Sequence, residues 1–214
     1  MADTVMVKTE FSGIEQSHLL LVEGIDDAFF FEALIKWLNL GNIEIWPICG
    51  VRDFKKKLGI LKKLSGFEKI KSIGVIRDAD ENAADAFDSV SQALRDNGLS
   101  APDRYGHRST ETPLTSIMIL PDGLESPGML ESLCLRAIID DPAMLCTEKY
   151  FECLHESRIY QREVDQDKAK VYVYLASRNK PDKRLGESAK AGYWPFDNEV
   201  FDNVKRFLFE MGNT

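Results

Sequence analysis

Residues 18–24 read His-Leu-Leu-Leu-Val-Glu-Gly, an apolar run that ends in an acid and a glycine. A continuous apolar run of this length predicts a strand that is buried on both faces of a sheet. Residues 25–40 follow with apolar side chains at helical spacing, and Asp26 and Asp27 lie in the first turn, where acids favour the helix dipole. This segment predicts the first strand and helix of an α/β domain.

The same alternation of strand and helix continues through the first hundred residues. Further strands are predicted at 43–50 and 72–78, and further helices at 52–64 and 83–97. Strands that alternate with helices of this kind form parallel sheets with right-handed crossovers. Beyond residue 100, the pattern predicts another strand at 115–120 and a possible short one at 105–109.

The C-terminal third is predicted to be mostly helical, with helices at 128–139, 144–156, 166–177 and 199–211. We therefore expect an α/β, Rossmann-like core over residues 1–125, with a central, mainly parallel sheet of about four strands flanked by helices. Residues 126–214 would form a helical C-terminal extension that packs on this core as part of one compact unit.

The composition is that of an ordinary globular protein. Hydrophobic residues make up 44% of the 214 residues, and the net charge is −8. No apolar run reaches the roughly 18 residues of a membrane helix, and the first ten residues lack the pattern of a signal peptide. We therefore expect a cytoplasmic protein that makes no membrane contact.

Cysteine spacing argues against a zinc site and against a disulfide framework. No Cys-x-x-Cys pair occurs, and the nearest two cysteines are seven residues apart. We expect four free thiols that are buried or half-buried, at Cys49, Cys134, Cys146 and Cys153.

Acidic residues follow the ends of two predicted strands. Glu23 ends the first strand, Asp78 ends the third, and Asp80 lies two residues further on. Parallel sheets gather ligands at the carboxyl ends of their strands, so these acids converge if the two strands are neighbours, with Asp27 one helical turn away. Crowded carboxylates repel one another, and a divalent cation relieves that repulsion. Oxygen ligands of this kind select Mg²⁺, Mn²⁺ or Ca²⁺.

A structural role is the alternative for each acid. Asp27 could serve the helix terminus, and Asp78 or Asp80 could cap the helix that follows. After the strand at 115–120, either Glu125 or Glu131 could join the site, while Glu131 could instead stabilise the start of its own helix.

Basic residues are concentrated in two segments of this acidic chain. Residues 52–71 hold eight Lys or Arg against two acids, and residues 158–190 hold nine against five. A solvated surface is the default interpretation, and the alternative is a surface beside the metal site that contacts the phosphate backbone of nucleic acid. The predicted contacts are Lys55, Lys56, Lys62, Lys63 and Lys170. A lysine could also stabilise charge in a transition state, and the candidates are Lys168, Lys170 and Lys190.

Two of these motifs resemble a known domain family. Val22-Glu23-Gly24 stands about 55 residues before Asp78-Ala79-Asp80, and each motif closes an apolar strand. This arrangement resembles the toprim domain of topoisomerases, bacterial primases and OLD-family nucleases, over residues 17–120. Residues 21–30 are most similar to the nuclease branch, and the chain as a whole resembles stand-alone toprim-like proteins of unassigned function.

The resemblance implies roles for individual residues. Glu23 would act as a general acid/base or a metal ligand, and Asp78 and Asp80 would hold Mg²⁺, for which Mn²⁺ would substitute. Asp27 would help to hold a second metal ion. Gly24 would give the tight turn from strand to helix.

Together these features predict a Mg²⁺-dependent enzyme that cleaves phosphodiester bonds or transfers phosphoryl groups on nucleic acid, most simply a small nuclease. Its catalytic residues would be Glu23, Asp78 and Asp80, and its metal ligands would be these three with Asp27 and Glu131. Two alternatives stay open. One is a non-catalytic regulatory module that binds metal or nucleic acid, and the other is a small-molecule phosphoesterase, which fits the net negative charge more easily.

Overall fold

Five parallel strands form the centre of the molecule. The computed structural model describes residues 5–9, 12–48, 51–158 and 166–213. The strands form one sheet in the order β1-β3-β2-β4-β5, and every neighbouring pair is parallel. Their bounds are Met6–Val7 (β1), His18–Val22 (β2), Ile43–Pro47 (β3), Ser72–Asp78 (β4) and Leu114–Leu120 (β5). The predicted α/β class and parallel sheet are confirmed.

The sheet differs from the prediction at its two edges. β1 was not predicted, because two residues of an edge strand carry no recognisable period. The possible strand at 105–109 is reduced to a single antiparallel bridge between Arg108 and Ser116. The strand at 115–120 is confirmed as β5.

Eight α-helices flank the sheet in the described part of the chain. They are Ile25–Trp37 (α1), Val51–Leu61 (α2), Ala83–Asp96 (α3), Leu130–Ala137 (α4), Pro142–Glu156 (α5), Gln166–Ala176 (α6), Leu185–Lys190 (α7) and Asp202–Gly212 (α8). Short 3₁₀ helices cover Phe67–Lys69 and Glu199–Phe201. All seven predicted helices are present, with ends shifted by a few residues, and the short α7 was missed.

The two faces of the sheet bury separate hydrophobic clusters. Side chains alternate along β2, so Leu20 and Val22 pack with α1 and the C-terminal helices. Leu19 and Leu21 pack on the opposite face with α2 and α3. This burial on both faces explains why β2 reads as an unbroken apolar run.

The last helix returns to the middle of the sheet. A Cβ added at Gly74 would lie 2.4 Å from the sulfur of Met211, so any side chain at this position would force Met211 of α8 to shift. The hydroxyl of Ser72 donates to the carbonyl of Met211 at 3.0 Å, and Nδ1 of His18 lies 2.7 Å from the same hydroxyl. Helices beyond residue 125 thus share the core of the sheet, while a boundary at that residue stays a prediction.

None of the helices in the described ranges has the length and apolar character needed to cross a membrane.

Candidate functional site

The strand order places β2 beside β4, which is the condition for the predicted acids to converge. The register pairs His18 with Ser72 and Leu21 with Val75, so both strands end at the same edge of the sheet. Five acids lie there, which we call the acid edge. They are Glu23 after β2, Asp27 in the first turn of α1, Asp78 at the end of β4, Asp80 just beyond it, and Glu131 in the first turn of α4.

Asp78 is the most strongly perturbed acid of this edge. Burial raises the pKa of its carboxyl well above the usual value, and the charges of Asp27, Glu23 and Glu131 raise it further. Its Oδ1 also accepts a hydrogen bond from the backbone N–H of Leu130 at 2.9 Å, at the start of α4. Asp78 therefore combines a structural contact with close electrostatic coupling to three other acids.

Asp27 also has a structural contact. The backbone N–H of Gly24 donates to its Oδ2 at 2.9 Å, so Asp27 stabilises the start of α1, as the structural alternative proposed. Burial nevertheless raises the pKa of Asp27, and the charge of Asp26 adds to this. Gly24 lies at the turn between β2 and α1 as expected, but its φ of −122° is extended backbone that any residue adopts, so the turn does not require glycine.

Glu23 faces a cation that the sequence analysis did not single out. Nε of Arg77 lies 3.3 Å from Oε1 of Glu23, and the two side chains are 12% and 28% exposed. These two atoms are buried and form no hydrogen bond within the described residues. Burial raises the pKa of Glu23 to about 7; Arg77 lowers it, while Asp80 and Asp27 raise it. The sequence feature that could have identified Arg77 is an arginine within an otherwise apolar strand.

Glu131 joins the acid edge, and Lys168 lies beside it. Burial raises the pKa of Glu131, Lys168 lowers it, and the charges of Asp27 and Asp26 raise it. Nζ of Lys168, in α6, lies 3.8 Å from Oε1 of Glu131. Glu125, the other acid considered after the fourth predicted strand, is exposed.

The two remaining candidate lysines pair with acids elsewhere. Nζ of Lys170 lies 2.7 and 2.8 Å from the carboxylate oxygens of Glu148. Nζ of Lys190 lies 2.6 Å from Glu32 and 3.8 Å from the ring centre of Phe29. Of the three candidates, Lys168 is therefore the one at the acid edge.

Asp80 borders a wide groove beside the acid edge. It is exposed and has a left-handed backbone, with φ of 50°. Its N–H and C=O both pair with Gly128, at 3.0 and 2.9 Å, which ties the end of β4 to the loop before α4. The groove has a volume of about 1200 Å³, and its lining includes Arg77, Asp80, Ser89, Arg136 and Lys170. We call it the edge groove.

The acid edge offers only oxygen ligands, which are the type that a hard divalent cation takes. In the described ranges, no three Asp, Glu, His or Cys side chains are arranged to hold a metal ion directly. Mg²⁺ keeps several of its waters and is often held by only one or two carboxylates. A half-buried group of oxygen ligands that raise one another's pKa fits that mode of binding.

Four of the five predicted nucleic-acid contacts lie away from the acid edge, while the fifth, Lys170, lines the edge groove. Lys55, Lys56, Lys62 and Lys63 line one concave surface, together with Asp96 and Asn97 at the end of α3. We call these four residues the lysine surface. Nζ of Lys55 lies 2.6 Å from Asp96, and Lys62 donates to the carbonyl of Asn97. Asp80 lies just before the start of α3, and the lysine surface adjoins the end of that helix. The 14 residues of α3 therefore separate the acid edge from the lysine surface by about 20 Å.

The cysteines only partly follow the expectation. Cys134 is buried, and burial together with the charges of Glu131, Asp27 and Asp78 raises the pKa of its thiol well above the usual value. Cys146 and Cys153 are exposed, which corrects the expected burial, because α5 turns other residues towards the core. Cys49 lies outside the described residues.

Comparisons with known proteins give a family and no function. No curated protein matches the chain, and no solved structure does. One family model, described as a protein of unknown function (DUF3226), matches residues 17–213, a span that contains the whole acid edge, the edge groove and the lysine surface. The chain therefore belongs to the DUF3226 family.

Proposed function

We propose that the protein is a Mg²⁺-dependent enzyme that cleaves phosphodiester bonds in nucleic acid at the acid edge. The observation that carries this proposal is that acids from four separate elements converge at one edge of the sheet, where β2 and β4 end side by side. Burial raises the pKa of Asp78 there, and Glu23, Asp27 and Glu131 raise it further. Such crowding is unfavourable in a half-buried setting unless protons or a cation compensate for it. A toprim-like enzyme would hold its metal at these residues.

Asp78 and Glu131 would hold the ion, and Asp27 and Asp80 would bind its waters or a second ion. Bound Mg²⁺, or Mn²⁺ in its place, would stabilise negative charge on the attacking and leaving oxygens of the phosphodiester. Ligation through water reconciles this role with the backbone contacts that Asp78 and Asp27 already make.

Glu23 is suited to move a proton. A general acid/base works best when its pKa lies close to the operating pH, and burial brings the pKa of Glu23 to about 7. Arg77 would keep the carboxylate of Glu23 in place through their 3.3 Å ion pair. Lys168, beside Glu131, would stabilise charge that develops on the phosphate.

The edge groove favours a polymer over a small substrate. Pockets for small molecules usually measure roughly 300–1,000 Å³. The groove of about 1200 Å³ is larger. Its cations Arg77, Arg136 and Lys170 are each paired with an acid, and its lining also holds the acids Asp80, Glu81, Asp85, Glu148 and Asp167. A nucleic-acid strand that follows this groove would bring a phosphate next to Asp80.

A second candidate function is a regulatory module that binds metal or nucleic acid without catalysis. It is favoured by the hydrogen bonds of Asp78 to Leu130 and of Asp27 to Gly24, which give both acids a structural reason to be present.

Asp78→Asn tests the metal site, because the amide keeps an acceptor for Leu130 and loses the charge. We expect Mg²⁺ or Mn²⁺ to raise the melting temperature of the wild type by several degrees and to leave that of Asp78→Asn unchanged. Ligand binding at about 100 times Kd stabilises by roughly 2.7 kcal/mol, which amounts to about 5–10 °C in a protein of this size. Asp88→Asn, at an exposed position of α3, is the matched control.

Incubation of the same three proteins with single- and double-stranded DNA and RNA in Mn²⁺ tests cleavage. We expect cleavage by the wild type and by Asp88→Asn, and its loss in Asp78→Asn. A metal-dependent rise in melting temperature without cleavage would favour the regulatory module. An equal rise in Asp78→Asn would exclude the acid edge as the metal site.

A further inference from the structure

We infer that the lysine surface is a second contact for a nucleic-acid duplex whose backbone also reaches the acid edge, so that binding requires about six base pairs. The juxtaposition that carries this inference is the placement of both regions along one exposed side of α3. The inference rests on the proposed function and adds the form and minimum length of the substrate.

A continuous stripe on α3 connects the two regions. Asp85 and Ser89 line the edge groove, Gln92 follows one turn later, and Asp96 lies at the lysine surface. Residues three or four positions apart share one face of a helix, so these four form a single row. Nε2 of Gln92 donates to Oδ1 of Asp96 at 2.7 Å, which links the end of the row.

Both acids of this row accept hydrogen bonds from neutral amides, and Asp96 also pairs with a cation, which offsets its repulsion of a phosphate backbone. Oδ2 of Asp85 accepts a hydrogen bond from Asn82 at 2.9 Å. Asp96 accepts from Gln92 and pairs with Lys55 at 2.6 Å. These partners leave Lys56 and Lys63 as exposed cations beyond the row.

The chemistry of the lysine surface fits a phosphate backbone better than bases. Its described lining consists of the four lysines with Gly59, Ile60, Asp96 and Asn97, and none of these has an aromatic ring on which a base could stack. Lysine contacts to phosphate position a nucleic acid without reading its sequence. We therefore expect binding that is independent of sequence.

The distance between the acid edge and the lysine surface sets the minimum length of the bound duplex. α3 has 14 residues and is about 20 Å long, while phosphates along one strand of a duplex are about 3.4 Å apart. A duplex that spans both regions thus covers about six base pairs. Because a duplex is stiff over this distance, the requirement appears as a step in affinity rather than a gradual rise.

Hairpin duplexes with stems of about 4, 8 and 12 base pairs test this inference by fluorescence anisotropy in Ca²⁺, with 12-nucleotide single strands as a second arm. The test variant is Lys56→Glu with Lys63→Glu. The matched control is Lys149→Glu with Lys180→Glu, which changes the net charge equally at exposed positions elsewhere.

For the wild type we expect a rise in affinity of about tenfold between the two shorter stems, and little change beyond. The test variant should lose this rise, and the slope of log affinity against log salt should fall in magnitude by about 2 for the longer stems. The control should behave as the wild type.

Three results would overturn the inference: no step in the wild type, an equal loss in the control variant, or the same step with single strands. A step that depends on the lysines in a protein that cleaves nothing would support the inference while refuting the proposed cleavage. Cleavage by a protein whose affinity shows no step with stem length would support the proposed cleavage while refuting the inference.

Discussion

The acid edge and the lysine surface lie at opposite ends of α3, and their charges meet different surroundings. At the acid edge, the side chains of Glu23 and Glu131 are 28% and 14% exposed, and burial raises their pKa values, to which neighbouring acids add. At the lysine surface, the side chain of Lys55 is 64% exposed. Charges interact strongly where water is excluded and weakly where water and salt screen them.

Because of this difference, the acid edge and the lysine surface are suited to different functions. Acids that are coupled through a half-buried site behave as one unit, which takes up protons or a cation together. Exposed lysines act one by one, and each adds a similar increment to the attraction of a phosphate backbone. We therefore expect catalysis at the acid edge and affinity for nucleic acid at the lysine surface.

The largest expected effect is that of Glu23→Gln on cleavage. The amide keeps the size of the side chain but cannot exchange a proton near pH 7, so we expect the rate to fall by about 10²–10⁴-fold. Single-turnover cleavage at saturating enzyme measures it. The control is Glu125→Gln, an exposed acid on the loop before α4. A cleavage rate that is unchanged in Glu23→Gln would show that Glu23 transfers no proton in the reaction. Proton transfer would then no longer distinguish the acid edge from the lysine surface.

The next effect is the dependence of stability on pH without metal. The pKa of Glu23 is about 7 in the folded protein against 4.5 normally, so the folded state binds this proton more tightly. The stabilising contribution is complete below pH 4.5 and is lost as the pH rises to 7. Allowing for partial exposure, we expect a fall on the order of 2 kcal/mol in the free energy of unfolding.

Urea unfolding at several pH values measures this fall, and the difference between wild type and Glu23→Gln isolates it from other groups such as His18. Mg²⁺ should reduce the fall, since a cation replaces the protons. Parallel curves for the two proteins would show that the pKa of Glu23 is not raised in the folded protein, and the contrast with the lysine surface would then disappear.

Much of the acid edge could be predicted because it depends on short-range patterns. The apolar runs before Glu23 and Asp78 predicted two buried strands, and the rule for parallel sheets placed both acids at one edge. The unknown was the strand order, which depends on packing between distant residues. The pairing of Leu21 with Val75 supplies that missing step.

Contacts that join distant parts of the chain could not be predicted. Arg77 beside Glu23 requires the register of β2 and β4, and Lys168 beside Glu131 requires the packing of α6 on α4. The lysine surface was predicted by composition, but its distance from the acids depends on the direction of α3. Sequence patterns thus found the charged residues, and tertiary packing determined which of them act together.

The smallest expected effect tests that conclusion directly. Lys56→Ala and Lys63→Ala should each change the free energy of unfolding by less than about 0.5 kcal/mol, and their effects should add within a similar margin. Asp78→Asn and Glu131→Gln should instead deviate from additivity by about 0.5–3 kcal/mol without metal, because removal of one charge already relieves the other. Urea unfolding of the two double-mutant cycles measures both. If the effects of Asp78→Asn and Glu131→Gln on the free energy of unfolding simply add, the acid edge is a set of independent helix caps. The reason is that the structural contacts of Asp78 do not involve the side chain of Glu131.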